Sequence, residues 1–469
     1  MKKWSWKWIT LSLVTLFLAA CSAAPGTNSS QANTGTDQRT TQNRNANETG
    51  IEQQGASSGG RKTIVFATFW PNEQYEQAIK AYEADHPGIE IKLQYGLSTP
   101  YSDEWGDEAQ MMADMEKYVT STNAAMLAGQ GPDLLDLRYL SAEDYAARHL
   151  LDDLGKRMDQ DKTFRKDDYF TRVLESGKSD EGLFSVPLTF SLSGMIGNQA
   201  ALAQTGVKID DRNWTWNDFV ATGRKLLAAK GPYQAVISNG EGMIAAAGHD
   251  YFVRSIMTDN YGMFVDEAKR TAHFNSQSFS DLLKQIKSMF DEGIIAGGPA
   301  YFSNITLSSP TDYLTSLRMF GEQTAFYVKP HATGAAAGAT FATGYHLAVN
   351  AKSKVKDEAW DFLKYLLRHT SIGFPVNKQL YLEEVQKLKE KGTITPDKMG
   401  PLQGKTFNVD AAQLDLLENF VDQAAQERNG SGKVLDMVVE ESAAFFAGQK
   451  SAEDVARLLQ NKATTFLNE

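Results

Sequence analysis

Apolar and polar positions divide the chain into three stretches. Residues 9–20, "ITLSLVTLFLAA", form a mostly apolar run, whereas from Ser22 to Thr63 the only large apolar side chain is Ile51. Beyond that the pattern is that of a folded domain. "TIVFATFW" (63–70) predicts a strand of β-branched and aromatic residues. Pro71-Asn72 then opens a helix with Tyr75, Ala78, Ile79 and Tyr82 at i, i+3, i+4, i+7 spacing, and Pro87-Gly88 stops it. In "IEIKLQY", Ile89, Ile91, Leu93 and Tyr95 alternate as in a strand. Strand, helix and strand within about 35 residues predict a βαβ unit and a parallel sheet.

Further along, "MLAGQGPDLLDLRY" (126–139) predicts a helix end joined to a strand through a Gly-x-Gly-Pro turn. "GLFSVPLTFSLSGMIGN" (182–198) reads as two short apolar runs broken at Pro187, and the Gly- and Ala-rich stretch 334–344 as a flexible connection. "NWTWNDFVATGRKLLAAKGP" (213–232) predicts a helix with a capping box, Thr215 at N-cap and Asp218 at N3. Trp214 and Phe219 then hold the N′ and N4 places of a hydrophobic staple and read as structural. Strands are expected in "FGEQTAFYV" (320–328) and "GYHLAVN" (344–350). After them come a helix with Ala359, Phe362, Leu363 and Leu366 on one face and a final Ser-capped helix. About 400 residues in this part are too many for one core, so two domains are expected.

Composition narrows the chemistry. The single cysteine, Cys21, leaves the folded part without disulfides or thiolate metal sites, and no HExxH or P-loop is present. No cofactor and no metal are expected. Net charge is −11, and −14 without the leader lysines Lys2, Lys3 and Lys7, which argues against nucleic acid and against close apposition to anionic lipid. Those lysines and the short apolar run have signal-peptide anatomy, the run falling short of the ~20 residues of a spanning helix. Leu18-Ala19-Ala20-Cys21 resembles a bacterial lipobox. Residues 1–20 are thus expected as a lipoprotein signal peptide, Cys21 as the lipidated residue, and 21–62 as a disordered tether with a reach of roughly 35 Å.

Taken in order, "FWPNEQYEQAIKAYEADHPGIEIKLQY", "LAGQGPDLLDL", "GLFSVPLTFSLSGMIGN", "WTWNDFVATGRKL", "FGEQTAFYV", "HLAVNAKSKVKDEAWDFLKYLL" and "KSAEDVARLLQNKATTFL" resemble the family 1 extracellular solute-binding proteins, the sugar-binding lipoproteins of bacterial ABC importers. The resemblance implies an α/β, two-lobed periplasmic-binding-protein-like fold with a ligand cleft between the lobes and a three-segment hinge. The crossings should fall near Val186–Phe190, Phe341–His346 and Phe374–Asn377. Residues 63–187 plus 346–374 would form the N-terminal lobe, and 188–345 plus 375–469 the C-terminal one. It further implies a carbohydrate ligand, an oligosaccharide by expectation, and ABC transporter permease subunits as partners. Membrane contact would be through the lipid anchor only. The protein is expected as a monomer at the extracellular face of the cytoplasmic membrane of a Gram-positive cell, and as a binder rather than an enzyme.

A pyranose presents apolar faces and a rim of hydroxyls, so its site needs aromatic rings and polar groups. Trp70 ends the first strand at a βα loop, where ligands of such sheets gather. Asp133 follows a Gly-Pro turn; the resemblance implies a sugar contact, while an Asx turn is the structural alternative. Phe190 and Ser191 lie at the first crossing and Tyr345 at the second. Tyr251 sits in "GHDYFVRS", a ligand region by resemblance, and Tyr327 and His331 come at and just after the 320–328 strand. Trp105 belongs to "GLSTPYSDEWGDEAQ" (96–110), which looks longer than the family's usual connection, and 429–432 is a further candidate cleft loop. Core packing explains such aromatics equally well. Two other functions stay open. A secreted glycoside hydrolase needs two carboxylates about 5–10 Å apart, and among 58 acidic residues such pairs arise by chance. A surface adhesion or sensor lipoprotein would share the anchor and the tether.

Overall fold

The computed structural model describes residues 60–98, 108–239, 248–319 apart from 268, 321, 323–370 apart from 336, 373–396, 402–424, 426–428, 430 and 432–469. Cys21 and Trp105 lie outside them. The βαβ unit forms as the pattern predicts. Strand Lys62–Thr68 pairs in parallel with Ile89–Tyr95 and with Leu134–Asp136. Helix Glu73–Asp85 crosses between the first two, burying Tyr75, Ala78, Ile79 and Tyr82. The Asn72 side chain caps it, accepting from the N–H groups of Gln74 (3.0 Å) and Tyr75 (3.4 Å). Among the described residues no helix is long and apolar enough to cross a membrane.

These strands start one mixed sheet. Its order runs Ile89–Tyr95, Lys62–Thr68, Leu134–Asp136, Thr340–Val349, Val186–Asn198, Ala300–Leu307, Ala235–Ser238 and Ile295–Ala296. Three short strands, Thr324–Tyr327, Phe374–Pro375 and Gln426–Glu427, pair off this path. Two expectations need correction. The 182–198 segment is not two runs broken at Pro187 but one strand of 13 residues, Val186–Asn198, with the proline inside it. Pro187 lies opposite His346, whose carbonyl accepts from Leu137 N–H instead (2.8 Å), so the missing proline N–H leaves that acceptor satisfied. The Gly- and Ala-rich stretch likewise ends in structure, since residues 340–344 are the first half of strand Thr340–Val349.

The three expected crossings lie side by side. Phe190 of the long strand is paired with Thr343 on one edge and Phe374 on the other, and Thr189 with Gly344 and Pro375. Apolar side chains gather in three cores. One holds Phe66, Tyr75, Leu134 and Phe362, and also takes in Leu192, Tyr381 and Leu414 from stretches expected in the C-terminal lobe. A second packs Trp214, Phe219, Phe252, Phe302 and Val455, and a smaller third holds Phe69, Tyr118, Leu135 and Leu151. The staple forms as expected, with the Trp214 and Phe219 rings 5.4 Å apart and edge-on beside a complete Thr215/Asp218 capping box.

Helix Lys378–Lys391 carries an acid at a cost. Glu384 is pushed up to about 7 by burial, and its Oε2 has no hydrogen-bond partner. A carboxyl whose folded value is raised holds its proton in the folded state after the unfolded chain has lost it. Stability therefore falls as pH rises from about 4.5 to 7. Glu384→Gln is expected to gain about 1–3 kcal/mol at pH 8 and almost nothing at pH 4, allowing for its partial exposure. Urea unfolding at the two pH values checks this; an equal gain at both would remove the desolvation account.

Candidate functional site

Strands Lys62–Thr68 and Leu134–Asp136 run parallel and end together, so the residues just past them meet. Thr68, Trp70, Asn72, Asp136, Arg138 and Tyr345 line a small cavity of about 40 Å³ at that edge. Trp70 is half-buried, and its indole N–H donates to the Tyr139 hydroxyl (2.8 Å). The Phe69 ring stands perpendicular to it, 5.1 Å away. Asp136 is buried beneath the cavity, where it accepts from the Tyr75 hydroxyl (3.2 Å) and the Arg138 backbone N–H (3.0 Å). Burial raises its carboxyl, against the pull of those donors and of the Arg138 charge. Burial would lower Arg138, but its bond to the Tyr345 side chain and the Asp136 charge outweigh that and keep it a cation.

Tyr345 lines both this cavity and a larger space. Its φ is +55°, a left-handed value costly for a side chain of this size, and the pairing of strand Thr340–Val349 with the long strand skips it between Gly344 and His346. The Arg138 guanidinium lies 4.5 Å from its ring centroid. The larger hollow, of about 350 Å³, is lined by Thr189, Phe190, Ser191, Ser308, Ser309 and Gly344, among others. That is the size of a small-ligand pocket, and its polar lining is hydroxyl and backbone.

Several expected contacts find other partners. Asp133 is buried; its carboxylate accepts from Val65 N–H (2.8 Å) and the Ser353 hydroxyl (2.6 Å), so both oxygens are engaged within the protein. Phe190 is buried against Phe374 (5.4 Å, stacked) and Phe170, while the Ser191 hydroxyl donates to the Ala342 carbonyl. Tyr327 lies over Gly197, where any Cβ would meet it at 2.6 Å, and packs on Phe302. The His331 ring engages Ala332 O and Asn213 Oδ1, and its backbone exchanges bonds with Trp214 and Trp216, fastening it to the capped helix. Tyr251 packs on the second core. The structure thus brings Trp70, Tyr345, Phe190 and Ser191 to the two hollows, and neither hollow is lined by Asp133, Tyr251, Tyr327 or His331. It adds Asp136 and Arg138, which the sequence reading passed over. The βα-loop reasoning that selects Trp70 also selects them, since they end and follow the neighbouring strand.

A polar relay lies beyond Tyr345. His346 Nε2 lies 2.9 Å from the Thr343 hydroxyl, which donates to Glu427 (2.8 Å), so that nitrogen carries the proton and Nδ1 faces Ser185. Burial pushes His346 down to about 4, so it is neutral at physiological pH, and burial raises Glu427. Deeper in the second core, Lys329 and Arg428 both pair with Asp259, and burial lowers Lys329. No group of histidine, cysteine or acidic residues among the described residues is arranged to hold a metal ion.

This architecture matches known folds. The chain superposes on the sugar-binding protein MalE from Xanthomonas citri with a TM-score of 0.59 at 15% identity, over 87% of this chain and 98% of that one. A periplasmic oligogalacturonide binding protein from Yersinia enterocolitica gives 0.58 at 16%, over 87% and 99%. The cyclic alpha-maltosyl-1,6-maltose binding protein from Arthrobacter globiformis gives 0.57 at 15%, also over 87% and 99%. At such identities the likeness establishes the two-lobed α/β fold. The bacterial extracellular solute-binding protein model matches residues 70–371, well over half of the sequence, and the chain belongs to that family.

Proposed function

We propose that this protein captures a carbohydrate in the cleft at Trp70 and Tyr345 and delivers it to an ABC importer. The observation that carries this reading is the pair of hollows that share Tyr345. Aromatic rings, a guanidinium and a row of hydroxyls there suit the faces and rim of a sugar. The folds it resembles include binders of maltose-type and galacturonide oligosaccharides by their names. Binding without turnover follows, so no reducing ends are expected to appear on incubation with oligosaccharides. The lobes are proposed as residues 63–187 plus 346–374 and 188–345 plus 375–469, turning about the three paired crossings.

A thermal-shift screen of the mature protein against mono- and oligosaccharides tests the reading. A site occupied at 100 times its Kd adds about 2.7 kcal/mol. A melting temperature indifferent to every sugar would overturn it. With the best ligand, solution scattering should show a smaller radius of gyration as the lobes close, and an unchanged profile at saturation would sink the hinge.

The anchor belongs to the same proposal. Lipidation at Cys21 and the polar stretch 22–62 would hold the protein at the outer face of a Gram-positive cytoplasmic membrane, as a monomer free to turn towards permease subunits. Cys21→Ala is expected to release it into the medium with ligand affinity unchanged. A variant that still sediments with membranes would refute lipidation there.

A further inference from the structure

We infer that the sugar this cleft selects is acidic, carrying the carboxylate of a uronic-acid residue, and that Arg138 is the residue that reads it. The inference rests on the carbohydrate reading above and narrows it.

Arg138 is exposed at the cleft wall, two residues past the strand end that carries Asp136. Its guanidinium carbon lies 4.5 Å from the centroid of the Tyr345 ring and the two side chains are hydrogen-bonded, so Tyr345 holds the guanidinium at the cavity. Among the described residues no carboxylate stands within ion-pair distance of it, whereas Arg157 sits on Asp152 and Asp357, and Arg428 on Asp259. The acid nearest in sequence, Asp136, is turned inward to the Tyr75 hydroxyl and a backbone N–H. The lining of the larger hollow carries no charged side chain. Of the two charged residues that line the small cavity, Arg138 is exposed and Asp136 is buried.

A planar guanidinium carries an N–H fork that takes a carboxylate with two parallel hydrogen bonds. Neutral ring hydroxyls are served by Thr189, Ser191, Ser308 and Ser309.

The test compares three trisaccharides by calorimetric titration of the mature protein: trigalacturonate, its methyl ester, and neutral galactose trimer. The ester keeps the shape and removes the charge. Trigalacturonate is expected to bind at least about tenfold tighter than its ester, with the preference shrinking as salt rises from about 50 to 500 mM. Arg138→Gln should bring the two within about twofold, and Arg138→Lys should restore only part of the gap because it keeps the charge and loses the fork. Equal binding of acid and ester by the unmutated protein overturns the inference, and so does a preference that survives Arg138→Gln. If the neutral trimer binds and the acid does not, the carbohydrate reading stands and this inference alone falls. If no sugar of either class binds, both fall.

Discussion

Trp70→Ala is expected to weaken carbohydrate binding by more than tenfold, about 2 kcal/mol or more, while costing the unliganded protein less than the 3–5 kcal/mol typical of a fully buried aromatic. The indole is half-buried, bonded to Tyr139, set perpendicular to the Phe69 ring, and lines the cavity. Part of its burial is therefore left for a ligand to complete. Ligand titration and urea unfolding of the same variant separate the two contributions. A mutant that binds normally but unfolds several kcal/mol more easily would make Trp70 a core residue.

Asp133→Ala should show the reverse pattern, a loss of about 3–5 kcal/mol of stability with ligand affinity within twofold of the parent. The carboxylate ties the Lys62–Thr68 strand, through Val65 N–H, to the Ser353 hydroxyl beyond the Thr340–Val349 strand. Hydrogen bonds to a charged group are worth about 1.5–3 kcal/mol each, and their loss leaves a buried N–H and a buried hydroxyl unsatisfied. The Asp133 backbone adds bonds to Val65 O and from Asn350 N–H, so the residue is a joint between strands. Affinity that collapses while unfolding is unchanged would return Asp133 to the site.

This contrast shows where sequence is legible. Local signals read well: the Tyr75 to Tyr82 stripe, the Asn72 cap, the Thr215/Asp218 box and the Trp214 staple are written within a few residues of each other, and each forms. The place of Trp70 at the cavity edge follows from topology too, because it stands at the end of a parallel strand. What escaped was decided by distant partners. Pro187 looks like a break until His346, more than 150 residues later, is seen giving its carbonyl to Leu137. Asp133 and Asp136 differ by one turn of alternation in the same short motif. Only the third dimension shows that the first is consumed by Ser353 and the second lies under the cavity. The left-handed φ of Tyr345 has no local signature, since the preferred residue there would be glycine or asparagine.

The pairing of Leu134 with Val349 sets the order in which this protein can be finished. The strand Leu134–Asp136 has only two neighbours, Lys62–Thr68 on one edge and Thr340–Val349 on the other. A chain growing from its N-terminus makes the first pairing early. It then carries an open sheet edge until more than two hundred further residues have emerged. Contacts that distant in sequence close slowly, because the loop entropy must be met before the contact forms. Until then the Leu134–Asp136 edge is without its second partner, so this part of the sheet is completed late. Late completion is compatible with the export that membership of an extracellular solute-binding family suggests.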